Sequence, residues 1–193
     1  MNIEQIKADL RQRLSARRFL HTEGVAASAK KLAEVYGVDP DRAELAGWIH
    51  DCAKELPLAE MQALISEKQI PIDDAVMRSR SLLHGPAGSI YAEKYYGISD
   101  AEIQSAVFYH TTGRPDMSLM EKIIFLADYI EPSRDFPGVE LIRELAFTDL
   151  TAALIEAYDS TIRHLIDQKA YIYDLTFMGR NALVTQMKMT AKK

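Results

Sequence analysis

The stretch Ile123-Ile124-Phe125-Leu126-Ala127-Asp128-Tyr129-Ile130 sets one carboxylate inside the most apolar run of the chain. On a helix, apolar residues surround Asp128 on most faces, and burying an unpartnered carboxylate costs several kcal/mol. Any fold this sequence adopts must therefore bring Asp128 a partner. A metal ion is the most economical one. A salt bridge to Arg134 or Lys54 is the competing solution.

The rest of the chain reads as helices separated by short Gly, Pro and Asp punctuation, and no run alternates strictly enough for a strand. The first segment spans about residues 2–36, with a break near Leu20. A second follows Asp41, read as its N-cap, and stops before Pro57. A short one covers 58–68. Gly85-Pro86 reads as a helix start, with Gly97 as the stop. Helices are expected over 100–110 and from 117 or 118 to 130. The longest is expected over about 139–167, with Phe147, Leu150, Leu154 and Tyr158 on its apolar face. The fold class is all-α, and 193 residues suit a single domain.

Composition excludes several roles. A formal charge of −5 opposes attraction to nucleic acid or acidic membranes. The apolar run is far short of the ~20 residues that cross a bilayer. The opening MNIEQIKADLRQRL lacks the apolar centre of a signal peptide, and the lone Cys52 has no partner for an internal disulfide. These features predict a soluble, cytoplasmic protein with neither a nucleic-acid nor a membrane partner. An anionic substrate would then be met by a metal or by local cations. Lys7, Arg11, Arg13, Arg17 and Arg18 form one such cluster, although the first three read as a solvated helix face.

Four of the five histidines, His21, His50, His84 and His110, lie where a polar-surface position is not expected. His50-Asp51 sits inside the apolar segment Leu45 to Ala53. Gly47, three residues before His50, costs ~1 kcal/mol of helix stability relative to Ala, which points to a close approach there. His84 precedes the expected helix start, where free backbone N–H groups favour an anion. His110 closes a helix before the polar turn Thr111-Thr112-Gly113. Taken singly, each is more often structural than a ligand; His164 reads as structural. Together, the order His, His-Asp, His, His, Asp over five segments is far more specific. Imidazole with carboxylate suits iron, manganese, cobalt or zinc, and the lack of thiolates disfavours a structural zinc site. More than four candidate ligands predict metal-assisted hydrolysis, with one or two ions, rather than redox chemistry.

These residues resemble those of HD-domain phosphohydrolases, helical metalloenzymes named for the His-Asp pair. The likeness is closest to the bacterial YqeK-type symmetrical bis(5′-nucleosyl)-tetraphosphatases. It is carried by Arg18 to His21, Ala46 to Lys54, Leu83 to Pro86, Tyr109 to Arg114, Lys122 to Arg134, and Arg180-Asn181. The resemblance implies a helical HD bundle with a metal-binding core over about 18–134, a C-terminal helix and closing segment over about 139–185, and a polar tail over 186–193. It implies hydrolysis of diadenosine tetraphosphate into two ADP by a metal-activated hydroxide. His21, His50, Asp51 and Asp128 would hold the principal metal, with iron the ion the resemblance implies. His84 and His110 would hold a second ion or contact phosphate, and with Asp51 and Lys54 would form the catalytic group. Arg18, Lys54, Thr111 and Arg134, with Thr176, Arg180 and Asn181 from the C-terminal segment, would bind substrate.

Two other readings stand beside this one. The first is an HD phosphodiesterase or nucleotidase acting on another nucleotide. The cyclic-dinucleotide branch carries Gly-Tyr-Pro after the fourth His, where this chain has Thr111-Thr112-Gly113-Arg114. The second is a non-catalytic nucleotide-binding helical module. Apolar surface on the late helix would suit either core or a homodimer.

Overall fold

Gly47 marks the closest contact between the two helices at the centre of the fold. The structure, a computed structural model, describes residues 1–190; residues 191–193, the end of the expected polar tail, lie outside it. Helix α1 (Ile3–Arg13) starts with a capping box between Asn2 and Gln5, and α2 (Ala16–Tyr36) is capped by Ser15. The first break therefore falls at Leu14-Ser15, not near Leu20, because a serine hydroxyl satisfies an orphan N–H of the new helix and leucine has none to offer. Helix α3 (Pro40–Ile49) is capped by Asp39, not Asp41, with Pro40 in the first turn, where its missing N–H costs nothing. It ends at His50, and the chain from Asp51 to Glu55 forms consecutive turns. A Cβ added to Gly47 would stand 2.6 Å from Ala26 Cα, so only glycine lets α3 lie this close to α2.

Helices α4 (Leu58–Lys68), α5 (Asp74–Met77) and α6 (Arg80–Tyr91) form a smaller layer. Its own apolar cluster is built from Met61, Leu64, Ile65, Leu83 and Ile90. Gly85-Pro86 does not start a helix: α6 begins at Arg80 and carries Pro86 in its interior. His84 thus sits mid-helix, and the anion site expected from a helix N-terminus is absent there. A π-helical turn, Ala92–Tyr96, extends α6 to Gly97.

Helix α7 (Ala101–Tyr109) is capped by Asp100, and α8 (Leu119–Ile130) by a Ser118–Glu121 capping box. Helix α8 is nearly all buried and packs against α2, α3 and α7. The expected long helix over 139–167 is two, α9 (Val139–Ala146) and α10 (Leu150–Asp167), because Asp149 caps a new start. Leu154 and Tyr158 are buried as expected, whereas Phe147 is exposed. Helix α11 (Asp174–Thr190) packs on α10 and runs into the stretch expected as a tail. Among the described residues there is no strand, which agrees with the all-α reading.

Gly47→Ala should cost about 1–3 kcal/mol through overpacking of α2 against α3. For a chain of this size, thermal unfolding should show a drop of several degrees.

Candidate metal centre

Helices α3 and α7 end in the same way. His50 caps the C-terminus of α3 and His110 that of α7. Each ring folds back on its own helix: His50 Nδ1 donates to the Gly47 carbonyl at 2.6 Å and His110 Nδ1 to the Val107 carbonyl at 2.7 Å. The last carbonyls of a helix have no intrahelical donor, so the imidazole satisfies one of them. Since a carbonyl only accepts, the proton is fixed on Nδ1 and the Nε2 lone pair faces away from the helix. His21, on α2, reaches the same state through Glu131, whose Oε1 lies 3.0 Å from its Nδ1.

These imidazoles meet around Asp51, which is 2% exposed. Its two oxygens face different pairs. Oδ1 lies 3.1 Å from His84 Nε2 and 3.5 Å from His110 Nε2; Oδ2 lies 3.5 Å from His50 Nε2 and 3.7 Å from His21 Nε2. Asp128 Oδ1 comes within 3.1 Å of His21 Nε2. Three overlapping triads result: His21, His50 and Asp51; His50, His110 and Asp128; and Asp51, His84 and His110. Within each triad the ligand atoms lie no more than 4.8 Å apart.

The donor set fits a metal. His21 Nε2, His50 Nε2 and Asp51 Oδ1 are buried without an aligned hydrogen bond, although each is close to other members of the cluster. Buried polar atoms are otherwise almost always paired. Burial opposes ionisation of Asp51 and Asp128, yet the adjacent imidazoles, together with Arg134 beside Asp128, hold both carboxyls well below the usual carboxylate range. Neutral imidazoles and ionised carboxylates are the protonation states that metal ligands require.

Cations border the cluster. Arg18 donates to Asp51 Oδ2 at 2.7 Å, and Arg134 donates to the Asp128 carbonyl at 2.8 Å as well as to its carboxylate. The salt bridge weighed for Asp128 is thus present alongside the histidine cluster. Lys54 Nζ is 3.1 Å from His84 Nε2, and Thr111 Oγ1 is 3.1 Å from the Nε2 atoms of both His84 and His110. Lys54, His110, Thr111, Asp128 and Arg134 share one wall of a cleft of about 700 Å³. That volume lies within the range of small-molecule sites.

The HD domain family matches residues 18–133, the span that contains all six clustered ligands. The chain belongs to the HD-domain family. Within it, the chain groups with the YqeK-type branch. A protein of Halalkalibacterium halodurans named symmetrical bis(5′-nucleosyl)-tetraphosphatase is 46% identical, over 91% of this chain and 93% of its own length. A Bacillus subtilis protein of the same name is 40% identical, over 96% and 99%. A Clostridium acetobutylicum crystal structure, described as a predicted HD superfamily hydrolase involved in NAD metabolism, superposes with a TM-score of 0.93. It is 40% identical and covers 96% of this chain and 98% of that one.

Not every expected site residue reaches the cleft. Thr176 is buried near the start of α11 and Asn181 is exposed on it; neither lines the cleft. Arg180 is held by Asp159 on α10, with Nε 2.7 Å from Oδ1. Arg180 is thus directed to α10, while Thr185 and Gln186 of α11 line a separate groove. Two residues outside the expected site set belong near it. Glu131, 1% exposed, also accepts from the Ser133 backbone N–H and hydroxyl, which fixes the carboxylate that orients His21. Its sequence signal was a carboxylate at the end of the apolar α8, the same signal that singles out Asp128. His164, read as structural, is exposed and lines the cleft.

Adding a divalent transition metal should raise the unfolding temperature by several degrees, because binding favours only the folded state. In Glu131→Gln, metal titration should show affinity weakened by about 10–100-fold with the helical content unchanged.

Proposed function

We propose that this chain is a metal-dependent hydrolase that splits diadenosine tetraphosphate, and dinucleoside tetraphosphates generally, symmetrically into two nucleoside diphosphates. The observation that carries this reading is the gathering of His21, His50, Asp51, His84, His110 and Asp128 beside a cation-bordered cleft that His110 and Asp128 themselves line. The names of its full-length relatives support the same substrate.

In this reading His21, His50, Asp51 and Asp128 hold the principal ion. The other oxygen of Asp51 faces His84 and His110, which would hold a second ion or contact phosphate. A mixed imidazole and carboxylate set without thiolate suits iron, manganese, cobalt or zinc, and the family resemblance points to iron among them. When bound, such an ion activates water and polarises phosphoryl oxygens. The chain's own residues supply the rest. Lys54 and Arg134 face the cleft and neutralise charge on non-bridging phosphate oxygens, the main requirement of phosphoryl transfer. Thr111 donates its hydroxyl beside them.

Burial and the nearby Lys54 ammonium push His84 down to about 4, so at neutral pH its ring offers a lone pair and not a proton. Lys54, which faces the cleft and whose pKa burial lowers from the ordinary lysine value, is the group assigned to protonate the departing diphosphate.

The experiment is product analysis with metal-loaded protein. ADP should be the sole nucleotide released from diadenosine tetraphosphate; preferential turnover of a cyclic dinucleotide or a nucleoside monophosphate would reject the assignment. Asp51→Ala should reduce turnover by at least about 1,000-fold while circular dichroism is unchanged. Lys54→Ala should lower kcat by about 100-fold with metal content retained, in keeping with the loss of one general acid.

A further inference from the structure

Helix α9 lies beyond residues 18–133, the span matched by the HD domain family, yet one of its side chains reaches back to the turn that supports the metal centre. Arg143 is half-buried, on a helix anchored in the core by the buried Val139, Ile142 and Ala146. Its guanidinium donates to three backbone carbonyls: Nε to Ile130 at 3.0 Å, and Nη2 to Glu131 at 3.0 Å and to Arg134 at 2.7 Å. It also pairs with the exposed Glu140.

These carbonyls belong to the end of α8 and the turn that follows it. The last carbonyls of a helix have no intrahelical donor, and an arginine near a C-terminus is a favourable partner for them. Two arginines divide that task here. Arg134 takes the Asp128 carbonyl, and Arg143 takes those of Ile130 and Glu131. Capping of α8 would need nothing more. The shortest contact of Arg143, however, goes to the Arg134 carbonyl, outside the helix. The Arg134 N–H donates to the Glu131 carbonyl at 3.0 Å, so Arg134 is held at both of its backbone groups. The turn also lies close against α2: a Cβ on Gly24 would stand 2.7 Å from Glu131 Oε2 and 3.2 Å from Pro132 Cδ.

We propose that Arg143 is a positioning residue for the metal centre: by pinning the carbonyls of Ile130, Glu131 and Arg134, it sets where the Glu131 carboxylate meets His21 and where the Arg134 guanidinium meets Asp128. The inference rests on the metal-dependent reading of the site and extends it to a helix outside the matched span. Glu131 Oε1 lies 3.0 Å from His21 Nδ1, and such a bond weakens steeply when its angle departs from linearity. A planar guanidinium presents its donors in a fixed fork, so one side chain can clamp several carbonyls at once.

The test is calorimetric titration of the full-length protein with manganese(II). Arg143→Met keeps an apolar side chain and removes the donors. It should weaken manganese binding about tenfold, the lower end of the effect of losing a direct partner of a metal ligand. kcat/KM for diadenosine tetraphosphate should fall by a similar factor. Arg143→Lys, which keeps the charge and part of the donor set, should lie between wild type and Arg143→Met. Glu140→Gln, which removes only the exposed ion pair, should match wild type in both. In a Glu131→Gln background, Arg143→Met should weaken manganese only about twofold further, because the two changes share one route to His21. Manganese affinity unchanged in a folded Arg143→Met, or full additivity with Glu131→Gln, would overturn the positioning role. If Arg143→Met fails to fold, Arg143→Lys carries the same comparison, alone and with Glu131→Gln. Metal affinity is read without substrate, so protein that shows this coupling but releases no ADP from diadenosine tetraphosphate would keep the inference and reject the hydrolase reading.

Discussion

Two carboxylates, Asp51 and Asp128, held ionised within a bundle of apolar helices are the constraint around which the rest of the structure is arranged. Asp51 is buried and Asp128 half-buried at the cleft, and a buried carboxylate left alone costs several kcal/mol. Guanidinium groups and imidazoles gather about them: Arg18 on Asp51, Arg134 on Asp128, and four histidines drawn from α2, α6 and the ends of α3 and α7. The helices that contribute these groups are the ones that pack on one another in the core. Folding the core and assembling the cluster are therefore one event. The close contact at Gly47 follows from this, since α3 must lie against α2 for His50 and His21 to face a common point.

The repeated use of a histidine as a helix C-cap shows how local chemistry becomes a site. A capping imidazole answers a helix's unmet carbonyl with Nδ1 and is left with one outward lone pair on Nε2. Two helices that end this way and point toward the same carboxylate need no further device to orient their ligands. His21 lies within its helix and lacks a free carbonyl, so a buried carboxylate, Glu131, performs the orienting role. His84, also within a helix, has neither, and its Nδ1 comes only within 3.5 Å of Lys54. That difference separates His84 from the other three.

Most of this was legible in the sequence wherever a residue conflicted with its surroundings. Asp128 within an apolar run and His50-Asp51 within another could not be ordinary core, and the structure gathers both. Misreadings arose where local signals have two meanings. Gly85-Pro86 usually starts a helix, but here tertiary packing carries α6 through it, so His84 lost the backbone N–H groups expected beside it. The α9–α10 boundary was hidden because Phe147 and Leu150 continue the apolar spacing while Asp149 quietly caps a new helix. Glu131 and His164 were passed over because polar residues near helix ends are normally solvated; only the folded arrangement shows one buried against His21 and the other facing a cleft.

Arg18 and Arg134 serve two demands at once. Each neutralises a carboxylate of the cluster, and a guanidinium has five N–H donors, more than one carboxylate can occupy. Arg134 also lines the cleft, so its guanidinium stands between the cluster and the space a substrate would enter. In a protein of net charge −5, long-range attraction cannot bring such a substrate in. The local field must do so, and it is made by the same cations that allow the carboxylates to be buried. Arg134 therefore joins the two: the side chain that pairs with Asp128 is also part of the cleft lining.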